Sequence, residues 1–173
     1  MSKAKQQEFL DLYEPIHDRF EGFCRARVYG NMEFRDLINE SLLVAFERFD
    51  TLKSKEAFLS FLFSISVRIL SNNHRKKKES HFDNDDKIVS ITDVNAHTES
   101  DVEIHFLYEA LSKLNSGQRE SIILFEISGF SIKEIAVIQN VSQSAVKLRL
   151  KRGRARLTEI MTFESSFKTG EAI

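Results

Sequence analysis

SIKEIAVIQNVSQSAVKLRLKRGRARL, residues 131–157, writes two short helices and a tight turn in the order a helix-turn-helix requires. Ser131 with Glu134 three residues on spells a capping box, so a helix is expected to start there. Ile132, Ile135, Ala136 and Ile138 supply its buried side. Gln139-Asn140 close it, because Asn tolerates the left-handed backbone that ends a helix. Val141 fills the angle between the helices, and Ser142 caps the second one. In that helix Val146, Leu150 and Leu157 share a face with Gly153, while Ser144, Lys147, Leu148, Lys151 and Arg152 face the other way. Six Lys or Arg and no acid lie between Lys147 and Arg156. An ordinary solvated helix face would interleave Glu for i,i+4 pairs, and this one does not. A hydrophobic back, a polar N-terminal front and a cationic flank suit docking in a DNA major groove. The expected base-edge residues are Gln143, Ser144, Lys147 and Leu148, with Arg149, Lys151, Arg152 and Arg154 on phosphates.

The rest of the chain sets the class. With 173 residues it holds one ordinary domain or two small ones, and one Pro, six Gly and helical apolar spacing throughout predict an all-α fold. The formal charge of -1 hides segments of opposite sign. Arg68 to Lys78 carries five cations and no acid, Glu79 to Glu109 carries nine acids against Lys87 alone, and Lys147 to Arg156 is again basic. Two basic stations separated by an acidic connector should bind nucleic acid weakly alone, since the connector offsets counterion release. A partner that orders the stations is therefore implied. Cys24, the one cysteine, excludes a disulfide framework and reads as a buried thiol. The first residues lack the apolar run of a signal peptide, and no stretch approaches a membrane span, so no membrane insertion and an intracellular, cytoplasmic location are expected.

The amino-terminal half is expected to be a compact helical unit. Gln6 to Tyr13 and Ile16 to Tyr29 form one helix kinked at Pro15 or two in succession, with Phe9, Leu12, Ile16, Phe20, Phe23 and Val28 as core. Glu33 to Phe49 keeps unbroken three-four spacing through Phe34, Leu37, Ile38, Ser41, Leu42, Ala45, Phe46 and Phe49. Its outer side shows Arg35, Asp36, Asn39, Glu40 and Glu47. Ser54 is expected to cap a third helix, Lys55 to about Lys77, which starts apolar on nearly all sides and ends basic.

These motifs resemble those of the extracytoplasmic-function sigma factors, a two-domain class of bacterial sigma factors, over nearly the whole chain. DLINESLLVAFERFD (36–50) resembles the helix that grips the polymerase β′ subunit, and FLSFLFSISVRILSNNHRKKK (58–78) resembles the helix that melts and captures the downstream promoter element. LSKLNSGQRESIILFEISGFSIKEIA (111–136) and the segment after it resemble the second-domain pattern and its recognition helix. There are departures: Asn39 stands where Gln is usual, Phe61 for Trp, Arg68 for Asn, Asn72 for Asp, Asn115 for Pro and Leu148 for Ser. Asn115 can cap the helix that follows, whereas Arg68 and Leu148 change the chemistry where DNA would lie.

The resemblance implies a sigma region 2-like domain over residues 1–78, an acidic linker over 79–100, a region 4-like domain over 101–161 and a tail from Thr162 to Ile173. Ser100 and Glu103 spell a capping box for the helix carrying Leu107, Leu111 and Leu114. Implied partners are core RNA polymerase through its β′ and β subunits, promoter DNA and an anti-sigma factor. Asp36, Asn39 and Glu40 would contact polymerase. Phe61, Phe63, Arg68, Asn72, Arg75, Lys76 and Lys77 would serve melting, where cations and aromatic pockets offset the cost of unstacking bases. No cofactor, metal site or enzymatic activity is expected: the five histidines lack ligand spacing, and the acidic run at Asp83, Asp85 and Asp86 lacks the glycine of a calcium loop. Two rival readings remain at this point, a dimeric helix-turn-helix regulator and a degenerate sigma-like protein that occupies polymerase without opening DNA.

Overall fold

The computed structural model describes residues 3–80 and 99–168. Every regular element among them is helical, as the sequence predicts. The heart of the acidic linker, with Asp83, Asp85 and Asp86, lies outside the described residues.

The first unit has four helices, α1 (Lys3–Tyr13), α2 (His17–Val28), α3 (Phe34–Glu47) and α4 (Phe58–Ser80). Pro15 resolves the choice between one kinked helix and two: a 3-10 turn over Glu14–Ile16 separates α1 from α2. Gly30 reverses the chain after α2 with φ of 79°, a conformation that costs glycine little. Aromatic rings fill the interior. Phe9 meets Phe46, Phe49 and Phe58 edge-on at 5.3 to 5.4 Å between centroids. Phe63 packs on Phe20 at 5.2 Å and Phe23 at 5.0 Å, with Cys24, Leu37 and Leu62 fully buried around them. The expected cap at Ser54 is not made by its side chain, since a 3-10 turn over Lys55–Ala57 precedes α4. There the Ser54 hydroxyl meets the Glu56 carboxylate instead, which its own backbone bond and then Ser54 hold below the usual carboxylate range.

The second unit comprises α5 (Glu99–Ser112), α6 (Ser116–Ile122), α7 (Ile132–Gln139) and α8 (Gln143–Lys168). α5 begins one residue ahead of Ser100, whose side chain lies outside the described residues. Asn115 caps α6, its side chain accepting from the Gln118 N–H at 3.0 Å. The helix then widens into a π turn over Ile123–Ile127, which sequence periodicity does not foresee. Ser128 donates its N–H back to the Ile123 carbonyl, and Gly129, at φ of 70°, turns the chain so that Phe130 enters the core. α8 is a single helix running through Thr162 to Lys168, so the segment expected to be a patternless tail begins as helix. Gly153 sits where α8 crosses α6: a Cβ there would lie 2.7 Å from Ile122 Cδ1.

The two units pack together. α4 lies against α7, α2 against the π turn and α5, and the Phe63 and Phe130 rings meet across the seam at 4.8 Å.

Candidate nucleic-acid and polymerase interface

The helix-turn-helix forms as its sequence predicts. Ser131 accepts the Glu134 N–H, and the Glu134 carboxylate accepts the Ser131 N–H at 2.8 Å, completing the box. The Ser131 hydroxyl and then its backbone N–H hold the Glu134 carboxyl below its ordinary pKa. Asn140 adopts φ 52° and ψ 51°, Val141 donates to the Ala136 carbonyl, and Ser142 accepts the Ala145 N–H at 3.1 Å. Val146 and Leu150 are buried against the turn, which fixes the rotation of α8. That rotation leaves Gln143, Ser144, Lys147, Leu148, Lys151 and Arg152 exposed on one continuous face. Leu148, 46% exposed, is the apolar element on that polar face and is suited to a thymine methyl.

Arg149 and Arg154 depart from the expected phosphate row. Arg149 is half-buried, donates Nη1 to Gln139 Oε1 at 3.0 Å and lies over Gly117, so it braces α8 against α7 and α6. Its neighbour Leu150 faces the core, and one residue's rotation of 100° carries Arg149 toward α6 rather than outward. Arg154 pairs with Glu126 at 2.6 Å and covers the Phe125 ring.

In α4, Arg68, Asn72, Arg75 and Lys76 are exposed and recur at helical spacing along one stripe. Lys77 is helical, and its side chain lies outside the described residues. Of the two aromatics expected to serve strand opening, Phe61 is partly exposed, whereas Phe63 is fully buried among Phe20, Phe23 and Phe130. Phe63 is a core residue here. Alternation of apolar positions on a helix buried on several sides gives no signal for which aromatic faces out.

On α3, Asp36, Asn39 and Glu40 are exposed and share a face. The structure adds Leu43, 60% exposed in their midst, which the core spacing of α3 skips. Two carboxylates and an amide around an exposed leucine suit a basic amphipathic helix with an apolar contact at its centre.

Sequence reasoning singled out Gln118-Arg119 as a motif without finding its contacts. Arg119, 3% exposed, donates Nη2 to the Ala26 carbonyl at 2.7 Å and to that of Tyr29 at 3.2 Å, both in the first unit. Burial, with Arg27 alongside, pulls its pKa down to about 9. Cys24 is buried as expected, and that burial, with Glu21 behind it, pushes the thiol pKa up and away from reactivity. Among the described residues, no three metal-ligating side chains converge, and no helix is long and apolar enough to cross a membrane.

A family model described as Sigma-70, region 4 matches residues 107–157, which hold α6, α7 and the recognition half of α8. The RNA polymerase sigma factor CarQ of Myxococcus xanthus is 23% identical over 90% of this chain and 90% of its own length. The ECF RNA polymerase sigma factor EcfG of Rhodopseudomonas palustris is 28% identical over 73% of this chain and 70% of its own. The fold is shared with the sigma factor RpoE of Bartonella quintana, solved in complex with the anti-sigma factor NepR. That similarity has a TM-score of 0.71 at 23% identity and covers 93% of this chain and 98% of that one. A helix-turn-helix of the region 4 family, set in a two-domain helical chain whose relatives match it almost end to end, makes this protein a member of the extracytoplasmic-function class of RNA polymerase sigma factors.

Proposed function

We propose that the chain is the promoter-specificity subunit of a bacterial RNA polymerase, acting in the cytoplasm by positioning and strand capture and without bond chemistry of its own. The observation that carries this reading is the pair of exposed basic stations, Arg68 to Lys76 on α4 and Lys147 to Arg152 on α8, each backed by its own hydrophobic core. Residues 1–78 form the domain that binds core enzyme and the downstream element, 79–100 the linker, 101–161 the domain for the upstream element and 162–173 the tail. Asp36, Asn39 and Glu40, with Leu43, contact the β′ subunit. Arg68, Asn72, Arg75, Lys76 and Lys77 hold the backbone of the opened strand, and Phe61 stacks on a base. Gln143, Ser144, Lys147 and Leu148 read the upstream element while Lys151 and Arg152 hold phosphates. An anti-sigma factor is the expected regulator, as RpoE of Bartonella quintana is bound by NepR.

In vitro transcription from a matched promoter tests the reading. Core polymerase with the purified chain should initiate at one site, and core polymerase alone should not. Occupation of core enzyme without initiation on any promoter tried would contradict it.

A further inference from the structure

The seam between the two units has its own chemistry, and none of the contacts assigned above to DNA or polymerase requires it. Three arginines cross it. Arg119 from α6 buries its guanidinium against the carbonyl end of α2 and binds Ala26 and Tyr29 there, where a cation meets the negative end of the helix dipole. Arg27 from α2 reaches the other way, to Glu120 at 3.3 Å and to Ser116 at 2.7 Å. Arg19 donates to the Ser128 carbonyl at the end of the π turn, with its guanidinium 4.4 Å from the Phe130 ring centroid. Between them Phe130 closes on Phe63.

The same seam reaches the recognition helix. Glu120 accepts from Gln139 Nε2 at 2.8 Å, and Gln139 Oε1 accepts from both Ser121 and Arg149. A continuous chain of hydrogen bonds therefore runs from Arg27 in the first unit through Glu120 and Gln139 to Arg149 of α8.

We propose that this seam is a self-closing latch: the free chain folds its two units onto each other through Arg19, Arg27, Arg119 and Phe130, and engagement with core polymerase opens them. The inference rests on the reading of the chain as a sigma factor. While the latch is closed, the basic stripe of α4 is fixed against the helix-turn-helix, because α4 packs on α7. The two stations then cannot adapt to separate stretches of a promoter. The seam is also built to release. Arg119 Nε and Ser128 Oγ are buried without partners, so opening returns their hydration together with that of the three guanidinium groups. An obligate core interface would be apolar throughout; this one is mostly charged.

Solution scattering of the full free chain, with Arg19→Ala and Arg19→Ala/Arg119→Met variants, tests the latch, and circular dichroism checks that each variant keeps its helices. Wild type should be compact, near the about 16 Å radius of gyration of a single globule of this length. The double variant should expand by roughly a quarter as the units separate, a change toward the larger dimensions of unlinked domains. Should the double variant lose helix, Arg19→Ala alone decides, since its side chain serves only the seam. Because a closed fraction lowers apparent affinity, the opened variants should reach half-maximal transcription at about three- to tenfold lower concentration with limiting core enzyme. An extended wild type, folded variants as compact as wild type, or an unchanged half-maximal concentration would overturn the latch. Failure of wild type to support any transcription would instead strike the functional reading, with the scattering still deciding the seam.

Discussion

Lys147 and Leu148 are neighbours in sequence and on the exposed front of α8, yet they should affect DNA differently. Lys147→Ala removes a cation from the base-reading face and is expected to weaken upstream-element binding by about tenfold, one good groove contact being worth ~1–3 kcal/mol. Footprints on the promoter with core enzyme check this, and unchanged protection would remove Lys147 from the site. Leu148→Ser should leave affinity nearly intact and shift the preferred base at one position, which a promoter library would reveal. Gly153 is a separate case, concerned with packing alone. An added methyl would press on Ile122 Cδ1 at 2.7 Å and Gln118 Cβ at 3.2 Å, both on α6. Gly153→Ala is expected to destabilise the second unit by ~1–3 kcal/mol, as overpacked cores do. A melting curve matching wild type would show that α6 can yield. The sequence makes Gly153 legible as a member of the buried face, because it falls in register with Val146, Leu150 and Leu157. It does not tell Arg149 from Arg152: both are arginines on one basic helix, and only the crossing of α6 at Gly117 turns the first inward.

Among the elements, α7 shows how local chemistry sets a boundary. The Ser131 and Glu134 box satisfies backbone N–H groups at its start, and Asn140 in the left-handed region ends it. Ser131→Ala should cost ~1 kcal/mol in unfolding free energy. The pH dependence follows in sign. Glu134 has a folded-state pKa below its unfolded one, so its contribution is present in full above the unfolded value and is lost as pH falls through the folded one. The stability difference between wild type and Glu134→Gln should therefore be complete at neutral pH and shrink toward about pH 3, below the ordinary Glu range. A difference independent of pH would mean the carboxylate is not what completes the cap. Caps of this kind, like the Asn115 cap and the break at Pro15, lie within four residues of sequence and were legible there. The π turn after α6 was not. It exists because Ser128 and Phe130 must bond back to Ile123 and Leu124 while Phe130 turns inward, a demand set by the facing unit. Ser54 failed as a side-chain cap for a similar reason, a neighbouring carboxylate engaging its hydroxyl.

At the scale of the whole molecule, the charge map and the fold agree on two helical units with a basic station each, and the family resemblance over nearly the full length gave their order. The packing of one unit on the other was beyond reach of the sequence. Periodicity identifies which face of a helix is apolar, but Phe63 and Phe130 are 67 positions apart in the chain and nothing local pairs them. The buried Phe63 and the latch arginines follow from that pairing. The acidic face of α3 makes the central claim most exposed to test, since it must meet polymerase before either station matters. Co-elution of the full chain with bacterial core enzyme on a sizing column, for wild type and for Asp36→Lys/Glu40→Lys, is the direct measurement. The account predicts a one-to-one complex for wild type that the charge-reversed variant fails to form. A wild-type chain that elutes apart from core enzyme, or a variant that binds it as well as wild type, would contradict it.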